Sequence, residues 1–322
     1  MKKFLFYLLT LFILTGCTHA IDRDEDALSP VVGFSQSGTE SNWRKAHTDS
    51  IITELEKEDY QVLYRNGFLN QERQIQDIRR FIAYKVDLII LAPLVESGWD
   101  TVLTEAKDAG IPVIIVDRNI QTNDSDLYIT HVGPSFKAEG SRAGLYLSNY
   151  ASQSSESTIN VLELKGLENA ASTTLRHEGF LETIGRDNRI QVTQTLQGDF
   201  IRSKGREVIR TALQDGTFNA IDVLYSHNDE MTLGALEALK ELAPDKIDKL
   251  VIISIDGQKD AIDLLKEGII NCIVECNPHV GWYVVNAVSR HLSGSKIPKE
   301  IYVPETVFSD QGDLSMIPTR NY

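Results

Sequence analysis

An aromatic ring, a guanidinium group and a carboxylate lie within one turn of chain near the start of the protein. The stretch TESNWR (residues 39–44) places Glu40, Trp43 and Arg44 directly after the apolar run VVGFS (31–35). Planar guanidinium and carboxylate groups can each bond two neighbouring hydroxyl groups, and an aromatic ring can cover an apolar face. The cluster therefore suits a ligand that carries adjacent hydroxyl groups beside C–H surfaces.

The same residue types follow several other apolar runs. Asp117 and Arg118 follow IPVIIV (111–116), and Asp256 ends the run VIISI (251–255). Polar residues also follow the runs INVLEL, IQVTQTL and AIDVLYS, namely Arg176, then Asp199 beside Phe200, then Asn228. In open parallel sheets, ligands bind outside the carboxyl ends of the strands. The pattern predicts one cleft lined by arginine, carboxylate, amide and aromatic groups, which is typical of a sugar site.

Each of these residues also has an ordinary structural interpretation. A single Asp or Asn after a strand is usually a helix N-cap, and we expect Asp229 to cap the helix that starts at residue 230. A lone Asp–Arg pair is more often a surface ion pair, Phe200 alone would be a core residue, and Trp43 alone could pack under its loop. The site prediction depends on the agreement of six strand ends.

Strands and helices alternate along the chain from residue 31. Five β-branched runs precede residue 133, and five more follow between 159 and 276, with helical patterns such as 172–185, 203–214, 230–242 and 258–267 between them. Continuous apolar strands that alternate with amphipathic helices indicate parallel sheets covered on both faces. The predicted fold class is α/β, with two Rossmann-like, doubly wound parallel-sheet lobes and no flexible linker between them.

Composition and motifs exclude several classes of function. The 322 residues carry a net charge of −14, which argues against a nucleic acid partner. Walker A, G-x-G-x-x-G and H-E-x-x-H motifs are absent, and GFSQSG has Ser37 where a nucleophile elbow needs glycine. Asp117 and Asp256 could form a glycosidase pair, but we expect the nearby arginines to lower both pKa values, which is wrong for a general acid. We therefore predict a protein that is not an enzyme and has no cofactor and no metal.

The N-terminus has the features of an export signal. Lys2 and Lys3 precede an apolar stretch (4–14) that is too short to span a bilayer comfortably, and LTGC ends at Cys17. This order resembles the bacterial lipobox, which implies a signal peptide at 1–16, a lipidated Cys17 and an acidic tether over 17–30. The alternative is an ordinary signal peptide. We expect an extracytoplasmic protein, in the periplasm or at the cell surface, that is anchored to the membrane by its lipid.

The two remaining cysteines lie on one predicted strand. Cys272 and Cys276 are four residues apart, which is about 13 Å along a strand, whereas a disulfide needs Cα atoms within about 7 Å. His279 alone would not complete a metal site. We predict two free, packed thiols.

The ordered motifs resemble a known family. VGFSQSGTESNWR, APLVESGWD, IPVIIVDR, GDFIRSKG, HNDEM and SIDG occur in register between Val32 and Gly257. From Val31 to past residue 300 the chain resembles the type I periplasmic sugar-binding proteins of the ribose-binding-like group, and most of all the galactofuranose-binding branch that serves ABC importers. The resemblance implies a monomer whose two lobes, joined by a three-segment hinge, close on one monosaccharide and deliver it to a membrane permease.

The resemblance also implies particular lobes and site residues. The first lobe would contain 31–132 and 277–303, and the second 133–276 and 304–322. Asp199 and Phe200 would line the cleft. The implied ligand-binding residues are Glu40, Ser41, Asn42, Trp43, Arg44, Asp117, Arg118, Arg176, Asn228 and Asp256. This branch commonly has glycine where Asn42 stands, so a side chain is added within the contact turn.

Two other functions share this predicted core. A sensor would present the same sugar to a membrane kinase or chemoreceptor, and the cleft alone does not separate it from an importer receptor. A neighbouring gene for a permease or a kinase would separate them. A transcription regulator would need an N-terminal DNA-binding helix-turn-helix, whereas this chain starts with an export signal.

Overall fold

A computed structural model describes residues 29–322 of the protein. The expected signal peptide, Cys17 and nearly all of the tether lie outside the described residues. Within the described part, none of the helices is both long enough and apolar enough to cross a membrane.

Strands and helices alternate as the sequence indicates. The strands are β1 (Val31–Gln36), β2 (Gln61–Asn66), β3 (Leu88–Leu91), β4 (Val113–Val116), β5 (Thr130–Gly133), β6 (Ile159–Lys165), β7 (Ile190–Gln197), β8 (Val223–Ser226), β9 (Val251–Asp256), β10 (Cys272–Glu275), β11 (Glu300–Tyr302) and β12 (Val307–Ser309). The α-helices are α1 (Asn42–Lys57), α2 (Gln71–Tyr84), α3 (Asp100–Asp108), α4 (Phe136–Gln153), α5 (Ala171–Ile184), α6 (Arg202–Gln214), α7 (Asp229–Leu242), α8 (Lys259–Lys266) and α9 (Gly281–Leu292).

The strands form two six-stranded sheets. Their orders are β11-β5-β4-β3-β1-β2 and β12-β10-β9-β8-β6-β7. The paired strands run parallel, except that β12 is antiparallel to β10. The predicted α/β class with two doubly wound parallel sheets is confirmed. The short strands β11 and β12 were not predicted, because three-residue segments carry too little pattern.

Both sheets are covered by helices on their two faces. Strands β3 (LIIL) and β4 (VIIV) are buried at every position, as expected for parallel strands between helical layers. Separate apolar clusters lie on either side of each sheet. This packing fixes the carboxyl ends of the strands, and therefore the loops that follow them.

The chain passes between the two sheets three times. It leaves the first sheet after β5, returns after β10 to form α9 against α1, and changes sheets again between β11 and β12. The assignment of each strand to one of the two sheets supports a first lobe of 31–132 and 277–303 and a second of 133–276 and 304–322, which we propose.

Candidate ligand-binding site

A cavity lies between the carboxyl ends of the two sets of strands. Its volume is about 30 Å³, below the range of small-molecule sites, so the lining residues must move apart to admit a ligand of that size. The lining residues are Glu40, Ser41, Trp43, Arg44, Asp117, Arg118, Phe136, Ser172, Arg176, Phe200, Asn228, Asp256 and Cys276. The structure thus brings together the residues that the sequence indicated for the cleft, except Asn42 and Asp199.

The start of α1 orients one wall of this cavity. Ser41 is the N-cap of α1, and its hydroxyl accepts a hydrogen bond from the Arg44 backbone N–H at 3.0 Å. The cap fixes the first turn, in which Trp43 and Arg44 are buried and Asn42 is exposed. Successive helix residues point about 100° apart, so Asn42 faces away when its neighbours face the cavity. The sequence predicts that Asn42 contacts the ligand, but in the structure its side chain is exposed and does not line the cavity.

Arg44 forms an ion-pair cluster on the floor of the cavity. Its Nη1 donates to Asp117 Oδ2 at 2.5 Å, and its Nε donates to Glu40 Oε1 at 3.3 Å. Burial alone would raise the pKa of the Asp117 carboxyl, but the guanidinium groups of Arg44 and Arg118 outweigh burial and lower that pKa to about 2. Asp117 is thus an anion across the physiological pH range.

Arg118 lies against an aromatic face from the other sheet. Its Nη1 donates to the Leu94 carbonyl at 3.1 Å, and its guanidinium lies 5.1 Å from the centre of the Phe200 ring. Burial and the neighbouring charge of Arg44 lower the pKa of Arg118 to about 10. Arg118 therefore remains a cation at neutral pH. It lines the cavity, and its other N–H groups can donate to a ligand.

Arg176 of α5 is the cation of the opposite wall. Its Nε donates to Glu139 Oε2 at 2.7 Å, and its Nη1 donates to the His227 carbonyl at 2.6 Å. Its guanidinium lies 5.1 Å from the Phe136 ring centre and 5.9 Å from that of Phe200. Although burial opposes the charge, Glu139 raises the pKa of Arg176 above its ordinary value.

Asn228, and not Asp229, caps α7. The Asn228 side-chain oxygen accepts from the Met231 backbone N–H at 3.0 Å, and its amide donates to the Phe200 carbonyl at 3.3 Å. The expectation for Asp229 was wrong because α7 begins one residue earlier than its pattern suggests. Asp229 is instead buried and accepts hydrogen bonds from the backbone N–H groups of Gly257 and Gln258.

Asp256 corrects the expectation about carboxyl pKa values. Its backbone has a φ of 125°, and its carboxyl group lines the cavity. Burial and the nearby Asp229 raise the pKa of Asp256 well above its ordinary value, and this outweighs the attraction of Arg176. Of the two carboxyl groups, only Asp117 has a pKa below its ordinary value, because at Asp256 burial and the Asp229 carboxylate outweigh the arginines.

Trp43 joins the two halves of the molecule. Its side chain is 5% exposed, its Nε1 donates to the Cys276 carbonyl at 2.6 Å, and its backbone N–H donates to Gln258 Oε1 at 3.3 Å. The ring also stacks on His47, with 5.2 Å between ring centres. Trp43 therefore both packs in the interior and lines the cavity, so the two interpretations from sequence are not exclusive.

Other residues differ from the sequence-based expectation. Asp199 does not line the cavity, because its carboxylate pairs with Lys204 and accepts from Gln197. Phe136, Ser172 and Cys276 line the cavity but were not predicted. All three follow strand ends, so the rule that located the other residues also applied to them.

The two thiols are free and buried, as predicted. Both pack in one apolar cluster of the second sheet, and Cys276 also lines the cavity.

Comparison with known proteins places the chain in a family. Residues 32–296 match the family described as "Periplasmic binding protein domain". The galactofuranose-binding protein YtfQ of Escherichia coli K12 is 35% identical over 306 residues, which is 92% of this chain and 95% of YtfQ.

Solved structures give the same result. The arabinose-transporter binding protein of Shewanella sp. ANA-3, bound to α- and β-L-arabinofuranose, superposes with a TM-score of 0.83 at 35% identity, covering 87% of this chain and 92% of that one. A Mycobacterium smegmatis protein in complex with β-D-fucofuranose gives 0.84 at 35% identity, covering 88% and 92%. The resemblance read from the motifs is confirmed, and the chain belongs to the type I periplasmic binding proteins.

Proposed function

We propose that this protein is the receptor of an ABC importer and closes its two lobes on one monosaccharide in a furanose form, such as galactofuranose. The observation that carries the proposal is the cavity itself, in which three buried arginines face aromatic rings from both halves of the molecule. The similar proteins are named for, or hold, galactofuranose, arabinofuranose and fucofuranose, which are all five-membered sugar rings.

The arrangement of charges suits a neutral, polyhydroxylated ligand. Arg44 and Arg176 each have a carboxylate partner, and Arg118 has a carbonyl partner, so their desolvation is partly offset before a ligand binds. Guanidinium and carboxylate groups leave several donors and acceptors for hydroxyl groups. The rings of Trp43, Phe136 and Phe200 supply apolar faces for the C–H surfaces of a sugar.

A binding panel tests the ligand class. We expect calorimetric titration to show saturable binding of D-galactose, L-arabinose or D-fucose, whose solutions include furanose forms, and weaker binding of D-glucose, which is almost entirely pyranose in solution. Arg44→Ala should weaken binding by about tenfold or more, because it leaves Asp117 without its closest cation. The matched control is Asn42→Gly, which alters the neighbouring exposed side chain and should bind as the wild type does. Equal losses in the two variants, or no binding of any sugar, would contradict the proposal.

We also propose binding without turnover and without a cofactor or metal. The wild type incubated with D-galactose or a furanoside should return the sugar unchanged. A new product that depends on the protein would show an enzyme instead.

The proposed membrane anchor is a lipid on Cys17. The order LTGC at the end of an apolar segment supports it. In cells, Cys17→Ala should leave the protein unlipidated and move it from the membrane fraction, or leave it unprocessed. Lipid labelling of this variant equal to that of the wild type would overturn the anchor.

The proposed partner is a membrane permease, and the proposed state is a monomer. A sensor role, with a kinase or chemoreceptor as the partner, uses the same cavity. Deleting a neighbouring permease gene should abolish uptake of the bound sugar, whereas a sensor would leave uptake intact and lose the transcriptional or chemotactic response.

A further inference from the structure

Three side chains meet beside Arg176, at the place where the chain passes between the sheets. Glu139 lies in the first turn of α4, Cys276 directly follows β10, and Glu305 lies between β11 and β12. Each therefore belongs to a different one of the three passages. A carboxylate oxygen of each glutamate and the sulfur of Cys276 all lie within 4.8 Å of one another.

Each glutamate has one paired oxygen and one unpaired oxygen. Glu139 Oε2 accepts from Arg176 at 2.7 Å, and Glu305 Oε2 accepts from Arg142 at 2.9 Å. The Oε1 atoms of both glutamates are buried and have no hydrogen-bond partner among the described residues. The Glu139 side chain is 0% exposed, and that of Glu305 is 2% exposed.

Two ionised carboxylates in this arrangement would be unfavourable. Each Oε1 would be desolvated without a donor, and the two negative charges would repel each other at short range. A proton between the two groups removes both problems, because one carboxyl O–H can donate to the other Oε1. A metal ion suits the site less well, since each carboxylate is already paired with an arginine.

We propose that Glu139 and Glu305 share one proton, and that Glu305, in its acid form, is a positioning residue that orients Glu139 and through it Arg176. Glu139 is the anion of the pair because it contacts the fully buried guanidinium of Arg176. The proposal extends the proposed function, on which its binding readout rests. Through Glu139, Glu305 in the third passage between the sheets would thus position Arg176, a cation of the cavity.

The electrostatic surroundings agree with this assignment. Burial raises the pKa of Glu305 to about 10, and the neighbouring Glu139 adds to the rise while Arg142 opposes it. Burial also raises the pKa of the Cys276 thiol well above its ordinary value, so the thiol stays neutral and adds no charge. The titratable and charged groups that face the pair are Arg142, Arg176, Cys276, Tyr225 and Asp256.

Two substitutions at Glu305 separate a shared proton from simple packing. Glu305→Gln replaces the O–H donor with an N–H donor, so D-galactose, L-arabinose or D-fucose should bind within about twofold of wild type. Glu305→Met keeps a similar length but removes the donor, which leaves Glu139 Oε1 unpaired. We expect its affinity to fall by about tenfold or more.

The pH dependence of the melting temperature gives a readout that needs no sugar. The unfolded Glu305 releases its proton near its ordinary pKa, about 4.3, whereas the folded pair keeps it. Stability from this proton is therefore complete below that pH and is lost progressively as pH rises toward 10. The wild type should lose melting temperature more steeply than Glu305→Gln between pH 6 and pH 9, since glutamine has no proton to release.

Parallel melting curves for the wild type and Glu305→Gln would overturn the shared proton, as would equal loss of affinity in Glu305→Gln and Glu305→Met. A melting temperature that falls with EDTA and recovers with Zn²⁺ would also overturn it, in favour of a metal. If no sugar binds the wild type, the proposed function fails while the melting curves still decide the protonation of the pair.

Discussion

At the scale of single residues, the cavity is a set of charges that are partnered before a ligand binds. Arg44 has Asp117 and Glu40, and Arg176 has Glu139, with all of these side chains nearly buried. Breaking such a pair leaves one buried charge without compensation, which typically costs about 3–5 kcal/mol. The site residues therefore contribute to stability as well as to binding.

We expect Asp117→Asn to lower the stability of the protein at pH 7 and to change its response to acid. The pKa of Asp117 in the folded protein, about 2, is below its value of about 3.9 in an unfolded chain. Its stabilising effect is therefore present above pH 4 and is lost as pH falls toward 2, an effect of about 2 to 3 kcal/mol. Thermal melts from pH 7 to pH 2 should show the gap between wild type and Asp117→Asn narrowing below pH 4. A difference in melting temperature that stays constant with pH would contradict the low pKa of Asp117.

Trp43 should affect both stability and affinity, because it is buried and also lines the cavity. Trp43→Ala should lower the free energy of unfolding by about 3–5 kcal/mol and weaken sugar binding by roughly 1–3 kcal/mol. Trp43→Phe keeps an aromatic face but loses the hydrogen bond to the Cys276 carbonyl and part of the ring volume, so its loss of stability should be smaller than that of Trp43→Ala.

Calorimetric titration paired with melting curves separates these effects. If Trp43→Ala melts far below wild type but binds sugar normally, Trp43 packs in the interior and is not part of the binding wall.

The sequence identified the site residues that follow strands and carry charge. It did not identify Phe136 and Ser172, because an aromatic or a serine after a strand is too common to stand out. The elevated pKa of Asp256 could not be predicted either, since it depends on burial and on Asp229, which lies 27 positions away in the chain. Such through-space neighbours are set by sheet order, which one sequence does not specify.

At the scale of elements, helix starts determine which side chains face the cavity. The first turn of α1 directs Trp43 inward and Asn42 outward, and α7 begins beside the cavity with Asn228 as its cap. The pattern placed the start of α7 at residue 230, one residue after its observed start, and this shift assigned the cap to Asp229 in place of Asn228. Strands β11 and β12 escaped prediction because they depend on pairing partners distant in the chain.

Substitutions of Asn228 should separate its role as a cap from its role in the cavity. Asn228→Ala removes the acceptor for the Met231 N–H and should cost about 1 kcal/mol of stability. Asn228→Ser keeps a capping oxygen but shortens the side chain, so it should melt close to wild type while its sugar affinity falls. If the serine variant melts as low as the alanine variant, the cap does not supply the stability.

At the scale of the whole molecule, the cavity has walls from both sheets. Arg44, Asp117 and Arg118 follow strands of the first sheet, whereas Arg176, Asn228 and Asp256 come from the second. A ligand that contacts both sets favours the arrangement in which the two sheets lie close together.

We therefore expect sugar to shift the protein toward a closed form. Small-angle scattering should give a smaller radius of gyration at saturating sugar than in its absence, because hinge closure brings the two halves together. The Arg176→Ala variant lacks the cation of the wall that the second sheet supplies, so it should need more sugar for the same decrease in the radius of gyration. An unchanged radius at saturation would place the ligand elsewhere than between the sheets.

The two hydrogen bonds of Trp43 also limit how fast a bound sugar can leave the cavity. They join the halves of the molecule directly, through Cys276 and Gln258, and do not depend on groups of a ligand. A sugar inside the cavity can leave only after these bonds break, so its release cannot be faster than the opening of the protein. Sugars of quite different affinity would then share one upper limit on their exchange rate, set by the protein alone.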